Sequence, residues 1–262
     1  MAGYFYPKTE QALRAELRRL TDSPGRGVPS YATIVPHASF QYSGRVAGET
    51  FSRLAIPRRC VILGPNHTGT GASWSLMAAG AYETPLGHVP IDEPLARSLL
   101  EACPLVTVDH VAHVGEHAIE VPLPFLQWLG PAGLSIVPLV VGSEDEEECE
   151  QVARALAQVI RRTQDPVLLI ASSDLTHYEP HETATRKDAQ LIAAIQTLDP
   201  RRVLEQAGQS RVSLCGPGPV ACVVGAARHL GATQAQLIQY ATSAAAGGDP
   251  QSVVGYAGIL LN

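Results

Sequence analysis

Short apolar runs alternate with amphipathic segments along most of this 262-residue chain. Apolar runs of four to nine residues predict strands that are buried on both faces of a sheet. Six such runs cover residues 32–35, 60–63, 134–141, 167–170, 236–242 and 253–261. The hydrophobic pattern therefore predicts a sheet whose two faces are both covered.

Segments with apolar side chains three and four positions apart predict helices between these strands. Leu13, Leu17 and Leu20 mark a helix over residues 8–20, and Ser43 is expected to cap one that carries Ala47, Phe51 and Leu54. Asp92 is expected to cap a helix through Leu100. The other predicted helices cover residues 116–129, with a break at Pro122 and Pro124, and residues 146–162, 183–197, 200–207 and 218–230.

The alternation of strands and helices predicts an α/β fold, a three-layer α/β/α arrangement around a central sheet. The last two strands, 236–242 and 253–261, follow each other without a helix. The sheet is therefore expected to be mixed, although mostly parallel. No internal repeat, low-complexity tract or long linker interrupts residues 1–262, so one domain is expected.

Composition and charge exclude several classes of protein. The hydrophobic share of 45% and charged share of 17% are ordinary for a globular domain. No segment reaches the roughly 18 apolar residues of a membrane helix, and no signal peptide is visible, so a cytoplasmic protein without a membrane partner is expected. The net charge of −6 argues against a nucleic-acid partner.

The five cysteines form no Cys-x-x-Cys pair. Cys60, Cys103 and Cys222 lie in apolar surroundings and are expected to be buried thiols, whereas Cys149 lies in an acidic run that predicts a solvated helix start. Cys215 precedes an apolar helix, where the helix N-terminus would lower a thiol pKa. It is either a thiolate ligand or nucleophile, or a small buried residue in a turn.

Three predicted strands end in polar side chains that bind metals. His37 follows the first, His67 the second, and Asp174 and His177 follow the strand at 167–170. Ligands bind beyond the carboxyl ends of strands in open α/β sheets, so these ends are expected to converge on one crevice. Imidazole is a frequent ligand of first-row transition metals, which predicts a metal site there.

Glu116, His117 and Glu120 form a further candidate cluster. If residues 116–129 are helical, Glu116 and Glu120 share one helix face. The cluster then either orients metal ligands or acts as an acid/base pair, unless it is simply a solvated first turn. His110 and His113 lack such a context and are expected to be exposed loop residues.

These segments resemble the Memo family, also called AmmeMemoRadiSam system protein B, and the resemblance spans essentially the whole chain. The matching stretches are residues 2–7, Val35-Pro36-His37-Ala38, residues 42–44, Leu63-Gly64-Pro65-Asn66-His67, residues 116–126, Ser172-Ser173-Asp174-Leu175-Thr176-His177-Tyr178, Cys215-Gly216-Pro217-Gly218-Pro219 and residues 252–257. The Memo family looks related in fold to class III (LigB-type) extradiol dioxygenases, non-haem iron enzymes.

The resemblance implies a role for each candidate residue. His37 and His67 match the two histidine ligands, and Cys215 falls where Memo proteins have a cysteine and the dioxygenases a glutamate. His177 matches an acid/base histidine with Asp174 beside it, and His117 and Glu116 would line the pocket. A thiolate in place of the carboxylate softens the site, so ring-opening activity does not follow. Iron is the expected divalent metal, with copper and zinc as alternatives.

Three functions fit these residues. The first is a metal-dependent oxidoreductase resembling the dioxygenases and acting on a small molecule. The second is a non-enzymatic module that uses the pocket to recognise a peptide or a protein; the family name implies radical-SAM and AMMECR-type partner proteins. The third is a zinc metallohydrolase, since zinc on histidine and cysteine next to an acidic base activates water.

Overall fold

A central mixed sheet organises the protein, as seen in a computed structural model that describes residues 1–21, 27–209 and 215–262. The strands are β1 (Ala32–Val35), β2 (Arg59–Pro65), β3 (Trp74–Leu76), β4 (Ala81–Thr84), β5 (Gly87–Pro90), β6 (Thr107–Val108), β7 (Ser135–Val141), β8 (Val167–Ser172), β9 (His177–Glu179), β10 (Ala235–Thr242) and β11 (Val253–Leu261). The main sheet has the order β10-β11-β1-β8-β2-β7-β3-β6, with β9 also pairing with β11, while β4 and β5 form a separate hairpin.

Parallel pairing is concentrated at the centre of the sheet. Strands β1, β8, β2 and β7 are parallel neighbours, and the antiparallel strands β11 and β3 flank them on the two sides. The predicted mixed α/β sheet is confirmed. Because the four central strands run the same way, their carboxyl ends all lie at one edge of the sheet.

Eight helices cover this sheet within the described residues. They are α1 (Glu10–Leu20), α2 (Phe40–Ser52), α3 (Glu93–Ala102), α4 (Leu123–Leu129), α5 (Glu146–Arg162), α6 (His181–Gln196), α7 (Pro200–Gln209) and α8 (Pro217–Leu230). None of them combines the length and the apolar character that crossing a bilayer requires.

Strand β11 shows that the helices lie on both faces of the sheet. A Cβ atom on Gly258 would stand 1.7 Å from Oγ1 of Thr50 on α2, and one on Gly255 would stand 1.9 Å from Oδ2 of Asp188 on α6. Successive strand residues point to opposite faces, so positions three apart point away from each other. Helices α2 and α6 therefore pack on opposite faces, which confirms the three-layer arrangement.

Two helix starts test the capping predictions. The Asp92 side chain accepts from the backbone N–H of Leu95 over 3.1 Å and caps α3, as predicted. The prediction for Ser43 was wrong. Helix α2 has Ser39 at its N-cap, and Ser43 lies inside the helix, where its hydroxyl donates to the Ala38 carbonyl oxygen over 2.8 Å.

The segment before α4 is not helical, so the predicted helix over residues 116–129 was wrong in its first half. Residues 116 and 117 are irregular and residues 118–122 form turns, and Pro122 and Pro124 stand at the start of α4, where a missing N–H is tolerated. Glu116 and Glu120 consequently share no helix face. Glu116 contacts His67, whereas Glu120 accepts a hydrogen bond from the Tyr6 hydroxyl.

The position of Cys149 also differs from its prediction. Its acidic neighbours predicted a solvated helix start, but Cys149 is only 1% exposed. Its Sγ lies 3.8 Å from the carbonyl oxygen of Gly218, between α5 and α8. The acidic side chains therefore cover only the exposed side of α5. Cys149 lies on the buried side of this helix, together with Val152 and Leu156.

Candidate metal centre

Three parallel strand ends and one helix start bring the candidate ligands together. In the sheet Val35 lies opposite Ser172, and Leu63 lies opposite Ala171, so β1, β8 and β2 end at nearly the same level. His37 follows β1 and His67 follows β2, while Cys215 precedes α8. Each of these three residues offers one ligand atom, and the three atoms lie within 4.8 Å of one another. The expected convergence is therefore present in the structure.

His37 has its proton on Nδ1. Its Nδ1 lies 2.9 Å from Oγ of Ser172, and that hydroxyl donates its only proton to the Ala118 carbonyl oxygen over 2.6 Å. The Ser172 oxygen must therefore accept from His37, which leaves Nε2 as the acceptor nitrogen. This Nε2 lies 3.2 Å from Sγ of Cys215.

Burial keeps the His37 ring neutral. The side chain is only 1% exposed. Burial first, and then the neighbouring His67, lower the pKa of His37 to about 3. A neutral imidazole with a fixed tautomer is the form that binds a metal, so His37 needs to lose no proton first.

The buried carboxylate of Glu116 holds His67 in the same way. Oε1 of Glu116 accepts from Nδ1 of His67 over 2.8 Å, and Oε2 accepts from the His67 backbone N–H over 2.7 Å. The backbone N–H groups of His117 and Ala118 also donate to Oε1, each over 2.8 Å. A carboxylate can only accept, so Nδ1 of His67 carries a proton, and Nε2 is the ring nitrogen left to face a metal.

Glu116 itself stays ionised. Burial alone would raise its pKa, but the hydrogen bonds from His67 and from the backbone of Ala118 outweigh that effect and lower the pKa to about 2. In many metal sites, a histidine that binds the metal through one ring nitrogen donates a hydrogen bond from the other to a carboxylate. Glu116 therefore orients His67, one of the two roles that the sequence left open.

Cys215 carries a protonated thiol in the metal-free pocket. Burial first, and then the charge of Asp174, raise its pKa well above the usual range, although the backbone N–H of Asp174 donates to Sγ over 3.2 Å. The sequence predicted a lowered pKa from the helix N-terminus, and that prediction was wrong because burial outweighs the helix end. The thiol proton would have to leave when a metal binds.

Asp174 and His177 stand on the other side of Cys215. One ligand-type atom from each of Asp174, His177 and Cys215 falls within 4.8 Å of the others. Oδ1 of Asp174 accepts from the backbone N–H of His37 over 2.9 Å, and burial raises the Asp174 pKa despite this bond. Nδ1 of His177 donates to the Leu175 carbonyl oxygen over 2.7 Å, so its Nε2 is the acceptor nitrogen.

A stack of three rings forms one wall of the pocket. The ring of His117 lies 4.4 Å from that of His67 and 4.5 Å from that of Phe5, and both pairs are nearly parallel. Burial first, and then the neighbouring His37 and His67, lower the pKa of His117 to about 4. His117 thus lines the pocket as a neutral ring. Phe5 was missed as a pocket residue, although it lies in a stretch that resembles the Memo family.

His113 is a second residue whose role the sequence missed. It was expected to be exposed, but Nε2 of His113 donates to the Ser75 carbonyl oxygen over 3.1 Å, and the Tyr82 hydroxyl donates to its Nδ1 over 2.8 Å. The His113 carbonyl oxygen accepts from the Glu116 backbone N–H over 3.4 Å. His113 therefore braces the loop that carries Glu116.

The donor set fits a first-row transition metal ion. Two imidazoles present Nε2 and one cysteine presents sulfur, which is a combination that iron, copper and zinc all accept. Both imidazoles have a hydrogen-bond partner on Nδ1, namely Ser172 for His37 and Glu116 for His67. A divalent metal ion is therefore a plausible occupant of this site on the chemistry of its residues.

The sequence model of one protein family, described as Memo-like protein, matches residues 1–260. The chain belongs to this family. A MEMO1 family protein of Methanopyrus kandleri is 38% identical over 277 residues, with 100% of this chain and 97% of that protein covered. A MEMO1 family protein of Aquifex aeolicus is 37% identical over 266 residues, again with 100% and 97% covered.

A solved structure has the same fold as this Memo-like protein. The crystal structure of an uncharacterized protein, JW3007 from Escherichia coli K12, superimposes with a TM-score of 0.60. The match covers 88% of this chain and 99% of that one, at 17% sequence identity. At this identity the likeness shows the fold alone, so the chemistry has to be argued from the residues of the pocket.

Proposed function

We propose that this Memo-like protein is an oxidoreductase that holds one redox-active metal ion, iron in the first place and copper in the second. Nε2 of His37, Nε2 of His67 and Sγ of Cys215 would be its ligands. The observation that carries the proposal is the meeting of these three atoms within 4.8 Å. When bound, such an ion supplies electron transfer together with open positions for oxygen and for a small-molecule substrate.

The hydrogen bonds and the low pKa of Glu116 argue against this residue as the base of a zinc hydrolase. A hydrolase of this type needs a base that takes a proton from water. Glu116 is a weak base, because its pKa is about 2 and His67, His117 and Ala118 already donate to it. Asp174 already accepts from the backbone of His37 and of Ala38. Both carboxylates are thus committed to holding the pocket together.

His177 is the residue that we assign to proton transfer. Its Nδ1 proton is held by Leu175, so Nε2 is the atom at which a proton is taken up or given. This ring belongs to the cluster with Asp174 and Cys215, next to the proposed metal position. His117 is assigned to substrate contact, since its neutral ring lines the same pocket beside His67.

Metal analysis of untagged protein tests this proposal. We expect about one iron or copper ion per chain, its loss in His37→Ala, and its retention in the control His229→Ala, which changes a histidine at the end of α8. Oxygen uptake with a catechol by the iron-loaded protein is the second measurement. The absence of oxygen uptake would exclude a dioxygenase that opens catechol rings.

The two alternatives correspond to other outcomes of the same measurements. One zinc ion per chain with turnover that needs no oxygen would support the metallohydrolase. A protein that retains no metal after anaerobic loading would contradict the oxidoreductase and support a binding module. The radical-SAM and AMMECR-type proteins implied by the family resemblance are the partners to assay in that case.

A further inference from the structure

We propose that Asp188 is a positioning residue for His177, and that its buried carboxylate holds Thr176 so that the His177 ring keeps one orientation beside Cys215. This inference rests on the proposed role of His177 in proton transfer. Asp188 lies on α6 and outside the candidate ligand clusters of the described residues. Its link to the pocket consists of two hydrogen bonds from Thr176, and a third hydrogen bond, from Tyr240, anchors the carboxylate itself.

The Asp188 carboxylate is fully buried and joins two elements. Its Oδ1 accepts from the backbone N–H of Thr176 over 3.0 Å and from the Thr176 hydroxyl over 2.6 Å. Its Oδ2 accepts from the hydroxyl of Tyr240 on β10 over 2.7 Å. The side chain of Asp188 is 0% exposed. A buried carboxylate is costly unless it is hydrogen-bonded, and both oxygens of Asp188 are.

Strand β11 holds Thr176 from the other side. The Leu175 N–H donates to the Gly255 carbonyl oxygen, and the Gly255 N–H donates to the Thr176 carbonyl oxygen, both over 2.8 Å. A Cβ on Gly255 would approach Oδ2 of Asp188 to 1.9 Å, so the carboxylate sits where a side chain at 255 would be. Thr176 is therefore fixed through its backbone N–H, its hydroxyl and its carbonyl oxygen.

The fixed Thr176 determines what His177 can do. The carbonyl group of Leu175, which receives the Nδ1 proton of His177 over 2.7 Å, belongs to the same peptide unit as the Thr176 N–H that Asp188 binds. When Asp188 holds that N–H, it also sets the direction of the Leu175 carbonyl. That direction fixes the acceptor of the Nδ1 proton and so favours one tautomer and one ring orientation of His177.

The chain next to His177 needs such support. Tyr178 has a φ of 58°, in the left-handed region that a residue with a side chain rarely adopts. The Tyr178 side chain is 77% exposed, so little burial of its own ring holds it in that conformation. The pairing of His177 and Glu179 with β11 holds both sides of Tyr178, and the anchoring of Thr176 by Asp188 adds a buried constraint just before this turn.

Histidine-selective ¹⁵N labelling of the full chain, before and after zinc addition, tests the positioning. The His177 signals are identified by their disappearance in His177→Gln. We expect the wild type to show the Nδ1-protonated tautomer alone, with a hydrogen-bonded Nδ1 proton. Asp188→Ala should lose that proton signal and show both tautomers, whereas Asp188→Asn should keep it, because an amide oxygen still accepts from Thr176.

Two further variants complete the test. Tyr240→Phe is the control, since it removes a hydrogen bond from Oδ2 and leaves both bonds to Thr176. Thr176→Val removes the 2.6 Å bond alone and should broaden or shift the His177 signals, and it stands in for Asp188→Ala if that variant does not fold. Unchanged His177 signals in a folded Asp188→Ala, or in Thr176→Val in its place, would overturn the positioning.

The same variants separate this inference from the proposed function. If His177→Gln leaves oxygen uptake by the iron-loaded protein unchanged while Asp188→Ala alters the His177 tautomer, the proton-transfer role is wrong and the positioning stands. If His177→Gln abolishes oxygen uptake while Asp188→Ala changes neither uptake nor tautomer, only the positioning is wrong.

Discussion

The hydroxyl oxygen of Ser172 accepts a hydrogen bond from Nδ1 of His37 over 2.9 Å, and the same hydroxyl donates a hydrogen bond to the carbonyl oxygen of Ala118 over 2.6 Å. This one hydroxyl joins the end of β8, the loop that follows β1 and the segment that carries Glu116. It also decides which nitrogen of His37 faces Cys215.

Ser172→Ala should weaken metal binding by about 10- to 100-fold, the usual effect of losing an outer partner of a metal-bound histidine. Without the hydroxyl, His37 can place its proton on either nitrogen, and the Nε2-protonated form cannot bind. Competition of zinc with a chromophoric chelator measures the change. Ser75→Ala is the matched control, because Ser75 is another fully buried serine, bonded to Ala72 and Asp109. Equal affinity in the two variants would refute the role of Ser172.

Glu116→Gln should lower both metal affinity and stability. A glutamine at this position offers one acceptor oxygen to groups of His67, His117 and Ala118 that all donate. We expect zinc to bind about 10- to 100-fold more weakly and the free energy of unfolding to fall by about 1–3 kcal/mol, the effect of a buried unsatisfied donor. Urea denaturation and zinc titration measure the two effects.

Glu120→Gln is the control for this variant, since Glu120 contacts Tyr6 instead of a candidate ligand. Its zinc affinity should stay within about twofold of the wild type. A drop as large as that of Glu116→Gln would show that any charge change in this turn disturbs the pocket.

Metal binding should release a proton from Cys215. The raised pKa of this thiol leaves it protonated at pH 8, whereas His37, with a pKa of about 3, has none to lose from Nε2. Calorimetric zinc titrations at pH 8 in buffers of different ionisation enthalpy count the released protons. Cys215→Ser should release about one proton fewer per zinc ion bound. Equal proton release by the wild type and by Cys215→Ser would show that the proton comes from a group other than the Cys215 thiol.

The metal-free protein should lose stability on acidification below about pH 6.5. The pKa values of His37 and His117 fall from 6.5 in the unfolded chain to about 3 and about 4 in the folded one. Between these values the unfolded state binds protons that the folded state excludes, so the free energy of unfolding decreases as the pH falls. Above about pH 6.5 the rings of His37 and His117 are mostly unprotonated in both the folded and the unfolded chain, so they cause no further change in stability.

Urea denaturation of chelator-treated protein between pH 4 and 7 measures this linkage. Each histidine should contribute about 1.4 kcal/mol per pH unit to the slope near pH 5. His37→Gln and His117→Gln should each reduce the slope by about that amount. A slope that neither substitution changes would mean that other groups cause the acid sensitivity.

Much of the fold and part of the site could be predicted from the sequence. Apolar runs located the central strands, and the rule that parallel strands end at one edge brought His37 and His67 together. The hairpin of β4 and β5 was missed, because its four-residue strands have no continuous apolar run. Strand β3 was missed because it has only three residues.

The roles that sequence reasoning missed depend on contacts between distant segments. Glu116 was a candidate, but its helix was not real, because its carboxylate accepts the N–H groups of its own turn and so competes with helical hydrogen bonding. The sequence assigns Ser172 no role of its own, and the residue stands out only as part of the stretch that resembles the Memo family. Its effect on His37 requires the β1–β8 register, which no local pattern in the sequence reveals.

The three proposed ligands come from remote parts of the chain, and Cys215 lies 178 residues after His37. No fragment that stops before Cys215 contains the complete set. During synthesis, the nascent chain cannot assemble this set of residues until Cys215 has emerged from the ribosome. Binding of the proposed ion would therefore require a chain folded through Cys215, and a copy truncated before that residue would lack one of the three proposed ligands.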